Sequence, residues 1–152
     1  GRVDQPLTET QARINRARLI ATQAPLPQQC AERYNSVTIP RETPGADGAD
    51  VDVYLMPAMT TFDQVPFGGH FRLAVDTTAG AIRETQHFTN GCIALPIARN
   101  AAALMITQLI GDTPTEVHVF ESLTIGKPVY VGTSSALWSV TGREIAFVSA
   151  RE

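Results

Sequence analysis

Cys92 is the residue of this 152-residue chain best placed to do chemistry. It closes the turn Phe88-Thr89-Asn90-Gly91-Cys92, directly after a strand that carries His87. A cysteine in such a turn can be a nucleophile, half of a disulfide or a small core residue. As a nucleophile it must be a thiolate, which needs a base or cation close by. His70 and His87 are the candidate bases, and the backbone amides around Gly91 are the donors that would hold an oxyanion.

The polar residues nearest to this turn define where a ligand is expected. His70 and Arg72 share one face of a strand over residues 69–76, and Thr89 and Asn90 lie in the turn after a strand over 81–88. These two stretches converge, so the ligand-binding candidates are His70, Arg72, Thr89 and Asn90. The hairpin loop between the strands sets the detail. A four-residue loop puts His70 opposite His87, near enough to share a proton or a metal. A three-residue loop with a bulge at Gly80 pairs Arg72 with Glu84 instead, and this is the preferred register.

His118 alternates with Val117 and Val119 and reads as a strand residue that is exposed or at a cleft, with Glu116 on its face. Zinc sites collect three or four ligands at tighter spacing than these histidines offer. Asp47, Asp50 and Asp52 lack the glycine and the late glutamate of a calcium loop. No metal and no cofactor is expected. Gly68-Gly69 lacks the lysine of a phosphate loop and opens no helix, so it reads as a bulge or a close backbone crossing. Trp138 and Tyr130 are either core aromatics or a binding rim.

The elements that must position these groups follow from pattern. Residues 7–24 start with a capping box, Thr8 with Gln11, and carry Ile14, Ala17, Ala21 and Ala24 as a narrow apolar stripe ended by Pro25. The Pro-, Gly- and Asp-rich residues 40–50 form an exposed loop. Val51, Val53 and Leu55 alternate in a strand, as do Phe71, Leu73 and Val75 on the core face of the next one. The run after Pro96, residues 97–110, is apolar nearly all round and reads as a buried central helix. Strands are expected at 116–120, 128–131, 137–140 and 143–149, the last two as a hairpin about Thr141-Gly142. This order predicts an α+β fold: an antiparallel sheet with one central buried helix and an N-terminal helix. Residues 1–50 would pack as helix and loop on a body formed by 51–152, one domain overall.

Composition narrows the function classes. The net charge is −3, which gives no basic surplus for nucleic acid. No run reaches the roughly 18 apolar residues of a spanning helix, so no transmembrane segment is expected. Lys127 is the only lysine, and the arginines cluster early at Arg2, Arg13, Arg16, Arg18 and Arg33. On a helix that cluster reads as a solvated face rather than a dock for anionic surfaces. Gly1 reads as the scar of a cut, so an export signal is assumed to have been removed ahead of it.

Two resemblances bear on function. Thr89-Asn90-Gly91-Cys92-Ile93 resembles the active-site segment of the L,D-transpeptidases, cysteine enzymes that crosslink peptidoglycan. Asn90 stands where that family has histidine, and Ala94 where it has Arg or Asn. This resemblance implies a cysteine-dependent acyl transferase or hydrolase, with Cys92 as nucleophile and His70 or His87 as base. Over more of the chain, Phe67-Gly68-Gly69-His70-Phe71-Arg72, Phe88-Thr89-Asn90-Gly91-Cys92 and Pro114-Thr115-Glu116-Val117-His118-Val119-Phe120 resemble uncharacterised exported proteins of proteobacteria. That implies a periplasmic or extracellular location. An exported chain with two cysteines usually pairs them, which gives a Cys30–Cys92 disulfide. The preferred reading is an exported, disulfide-held domain with a binding or structural role, its partner an unknown small ligand or an envelope protein. An exposed sheet edge, at 51–56 or 128–131, would be the sign of such an assembly partner.

Overall fold

A computed structural model describes residues 5–61, 63–98 and 100–151; Gly1, Arg2 of the early arginine cluster and Arg99 of the expected central helix lie outside them. The class is α+β. The chain gathers into two compact units, one from Gly1–Pro27, Tyr34–Met56 and Phe71–Gln86, the other from Gln28–Arg33, Pro57–His70 and His87–Glu152.

In the first unit, α1 (Glu9–Gln23) begins at the expected capping box. The Gln11 amide donates to Thr8 Oγ1 at 3.2 Å, and the Thr8 amide donates to Gln11 Oε1 at 2.9 Å. Of the expected stripe, Ile14 is half-buried outside the core cluster, whereas Ala17 and Ala21 lie fully inside and Ala24 packs partly buried beside them, joined by Ile20. They pack on a four-stranded sheet of order β1 (Tyr34–Pro40), β2 (Val51–Pro57), β4 (Phe71–Asp76), β5 (Ala81–His87). Val51, Val53 and Leu55 pair antiparallel with Val75, Leu73 and Phe71, and all six belong to the core. The aspartates of the loop have protein partners. Arg41 grips Asp52 with two hydrogen bonds of 2.8 and 2.9 Å, and Asp50 accepts from the Thr77 amide and hydroxyl. Asp76 ties the β4–β5 turn by accepting from the amides of Thr78 and Ala79 and from Arg83.

The second unit holds a sheet of order β10 (Glu144–Ala150), β9 (Ala136–Thr141), β8 (Val129–Gly132), β7 (Leu104–Thr107), and a small ribbon of β3 (Gln64–Pro66) with β6 (Ala94–Pro96). Its core is Val65, Phe67, Leu104, Ile106, Val129, Val131 and Val140. Trp138 packs half-buried on that core and meets Phe147 edge-on, whereas Tyr130 points outward. The hairpin about Thr141-Gly142 is present, with Glu144 paired to Thr141.

Two expected elements are corrected. Residues 97–110 do not form a central helix; they contain β7, whose Leu104 and Ile106 are buried while Met105 and Thr107 are exposed. A continuous apolar run does not distinguish helix from strand by period alone, and here the period is two. Conversely, 116–120 is not a strand but the start of α2 (Glu116–Ile125). Parallel strands need a crossover, and β7 and β8 are parallel; α2 is that crossover. Neither expected edge is an edge, since β2 lies between β1 and β4, and β8 between β9 and β7. The edges of the second sheet are β7 and β10.

The alternation along β7 and β8 is testable by denaturant unfolding. Val131→Ala, a fully buried side chain, should lower stability by about 2–3 kcal/mol through lost burial and the residual cavity. Met105→Ala, 65% exposed on β7, should change it by less than about 0.5 kcal/mol. Equal effects would contradict the strand assignment.

Candidate functional site

The segment singled out for chemistry sits at a close crossing of backbones in the second unit. Cys30 and Cys92 form a disulfide, with Cα atoms 5.2 Å apart and a sequence separation of 62. The chain between β3 and β4 runs beneath it. The carbonyl of Ile93 accepts from the amides of both Phe67 and Gly68, at 2.8 and 3.0 Å. A side chain at Gly68 would overlap the Gly91 carbonyl and the Ile93 amide. Gly69 has φ +82°, and a side chain there would overlap Cys30 Cβ and Sγ. The two glycines are therefore a crossing, as their sequence context suggested, and the crossing is against the cysteine bridge.

Thr89 closes the same corner. Its Oγ1 accepts from the Gly69 amide at 3.2 Å and donates to the Gly91 carbonyl at 3.0 Å. Thr89 and Asn90 line a cleft of about 240 Å³ with Phe88, Ile93, Gln108 and Leu109. A larger cleft, about 470 Å³, flanks the bridge and is lined by Cys30, Arg33, Pro57, Met59, Gln64 and Ala94 among others. His70 and Arg72 are not in either cleft. Arg72 belongs to the first unit, where its guanidinium meets Glu84 at 3.9 Å. The His70 carbonyl accepts from the Phe88 amide at 3.3 Å, so the backbone opposite His70 is Phe88 and not His87. His87 ends β5, half-buried.

The structure adds two residues that pattern reasoning did not place. His70 Nε2 lies 3.0 Å from Glu121 Oε1, with both side chains almost completely buried. His70 Nδ1 is also buried and has no hydrogen-bond partner. Three residues before Glu121, on the same face of α2, stands His118, expected on a strand, exposed or at a cleft, and in fact buried. Its Nδ1 accepts from the Thr115 amide at 3.0 Å. That amide can only donate, so the ring proton sits on Nε2. Burial pushes the His118 imidazole down to about 4, and the nearby His70 adds to the effect. A helix bearing His and Glu three apart was the available signal, hidden by reading the segment as a strand.

A carboxylate that orients an imidazole is one component of acid–base catalysis. Here the pair is closed off from solvent, and the sulfur of Cys92 is bonded to Cys30, so no thiolate exists for a base to serve in this state. Among the described residues no three His, Cys, Asp or Glu side chains gather closely enough to hold a metal ion, and no helix is long and apolar enough to cross a membrane. The chain matches no protein-family model, no curated protein and no solved structure.

Two measurements check this site. Gly69→Ala combines a positive φ with overlap on the bridge and should cost roughly 3–5 kcal/mol. Gly80→Ala, at φ +68° in open space, should cost only about 1–2 kcal/mol. The second concerns pH. His118 binds a proton less readily folded than unfolded, so between about 4 and 6.5 the unfolded chain carries more protons and stability rises with pH. Its contribution is complete above that window and is lost as pH falls through it. Urea unfolding should show this slope, and His118→Gln should flatten it.

Proposed function

We propose that this chain is an exported bacterial domain, periplasmic or extracellular, with a structural or ligand-binding role rather than a catalytic one. The observation that carries the reading is the Cys30–Cys92 bridge, which engages both cysteines of the chain. Structural disulfides persist in oxidising compartments and are rare in reducing ones. Joining residues this far apart restricts the unfolded chain by about 4 kcal/mol on the loop-entropy account, a large share of a small domain's net stability. The clefts beside the bridge and at Thr89-Asn90 are the surfaces available to a small ligand, and an envelope protein is the other partner class.

A second reading, the cysteine acyl transferase or hydrolase, is favoured by the buried His70–Glu121 pair. It requires the bridge to be opened and His70 to come within reach of Cys92.

Fractionation of the source bacterium should find the protein outside the cytoplasm, and adding a reductant to the pure protein should lower its unfolding free energy by about 4 kcal/mol. Recovery from the cytoplasm, with stability indifferent to reductant, would overturn the proposal. Rapid alkylation of Cys92 after mild reduction, abolished by His70→Ala, would replace it with the enzyme reading.

A further inference from the structure

Of the early arginines, Arg16, Arg18 and Arg33 are exposed, as their clustering suggests, and Arg13 is half-buried. Arg18 Nε donates to Ser36 Oγ at 2.9 Å, while Arg13 and Arg16, three apart on α1, point into a cleft of about 380 Å³ within the first unit. Glu9, Asp50, Thr77 and Thr78 also line it. Arg13 Nε is buried there without any hydrogen-bond partner. Among the described residues its guanidinium has one ion pair, with Asp50 at 3.8 Å, beyond hydrogen-bonding distance. Each Asp50 oxygen already accepts one bond, Oδ1 from the Thr77 amide at 2.8 Å and Oδ2 from the Thr77 hydroxyl at 2.7 Å. Arg16 spends a single long bond, 3.3 Å, on the Thr77 carbonyl.

Arg13 and Arg16 therefore keep guanidinium N–H groups that no acceptor among the described residues fills, although the Glu9 carboxylate lines the same cleft. A guanidinium presents five N–H groups in a planar fork. A buried N–H left without an acceptor bears the desolvation penalty, and such a group in a native protein calls for an explanation, a ligand being one; only the Nε of Arg13 is buried, its side chain being 37% exposed. We infer that this cleft is a binding site for a small monocarboxylate, whose two oxygens would accept from Arg13 and Arg16. A planar carboxylate matches the fork in bidentate geometry. The charge of the cleft sets the limit on the ligand. Two arginines face two carboxylates, Glu9 and Asp50, so the site is formally neutral. One added negative charge is held by close N–H donors, whereas a dianion meets repulsion from both acids. The inference stands apart from the export reading and from the state of the bridge.

The test uses the full chain, labelled for observation of arginine Nε–H resonances and titrated with acetate, chloride and inorganic phosphate at matched ionic strength, at a pH where phosphate is a dianion. Acetate should move the Arg13 Nε–H resonance along a saturating curve, and chloride should not. Arg16→Gln and Arg13→Lys, which keeps the charge but removes the fork, should each weaken acetate at least about tenfold, with the remaining spectrum showing an intact fold. Arg143→Gln, on the β9–β10 turn, should leave binding unchanged. A linear drift identical for acetate and chloride would mean that solvent fills the cleft and would overturn the site. Saturation by phosphate with higher affinity than acetate would overturn the monocarboxylate assignment. So would full acetate binding in Arg13→Lys.

Discussion

The backbone at Gly68 and Gly69 passes so close to Cys30 and to residues 91–93 that neither position has room for a side chain. Much of the second unit's local geometry follows from that crossing. Hydrogen bonds from Phe67 and Gly68 to Ile93, and from Gly69 to Thr89, fix the crossing strands, and the disulfide makes their proximity covalent. A noncovalent contact of this size would compete with the entropy of two long connecting segments. A bridge removes most of that competition by constraining the unfolded chain instead. The polar turn that looked catalytic is accordingly held by the bridge and by these hydrogen bonds.

Next to the crossing, His70 brings a second constraint. Its ring and Glu121 occupy the interior as a hydrogen-bonded pair, with His118 and Ser122 on the same buried face of α2. Interior polar groups are tolerated only when they find partners. Ser122 Oγ does so fully, donating towards the Lys127 and Val140 carbonyls and accepting from the Gly142 amide, which pins α2 to the β9–β10 turn. His118 finds the Thr115 amide and is held neutral by burial. The helix is thus anchored by polar contacts on a buried face where apolar residues are usual, with Val119 and Ile125 also packed on the unit's core.

That inversion explains what was legible in the sequence. The capping box, the alternation of Val51, Val53 and Leu55 against Phe71, Leu73 and Val75, and the hairpin at Thr141-Gly142 obey simple periodicity, and each is where the residues put it. α2 buries Val117, His118, Glu121 and Ser122, so its buried face is mostly polar and reads as no helix at all. β7 is flanked by alanines and leucines that favour helix, yet pairing with β8 overrides that propensity. Of the expected ligand residues, Thr89 and Asn90 share a cleft. His70 was singled out as a candidate base and ligand residue, but the partner it has, Glu121, lies 51 positions away and no local pattern could reveal it.

The crossing and the proposed role both require Cys92 to be oxidised and architectural rather than a free nucleophile. Mass spectrometry of a tryptic digest prepared without reductant, its free thiols blocked beforehand, addresses it directly. The peptide spanning residues 19–33 should appear joined to that spanning 84–99, lighter by two hydrogens than the two reduced peptides together. Recovery of both peptides separately, each carrying the blocking group, would contradict the premise and return Cys92 to the chemistry its turn first suggested.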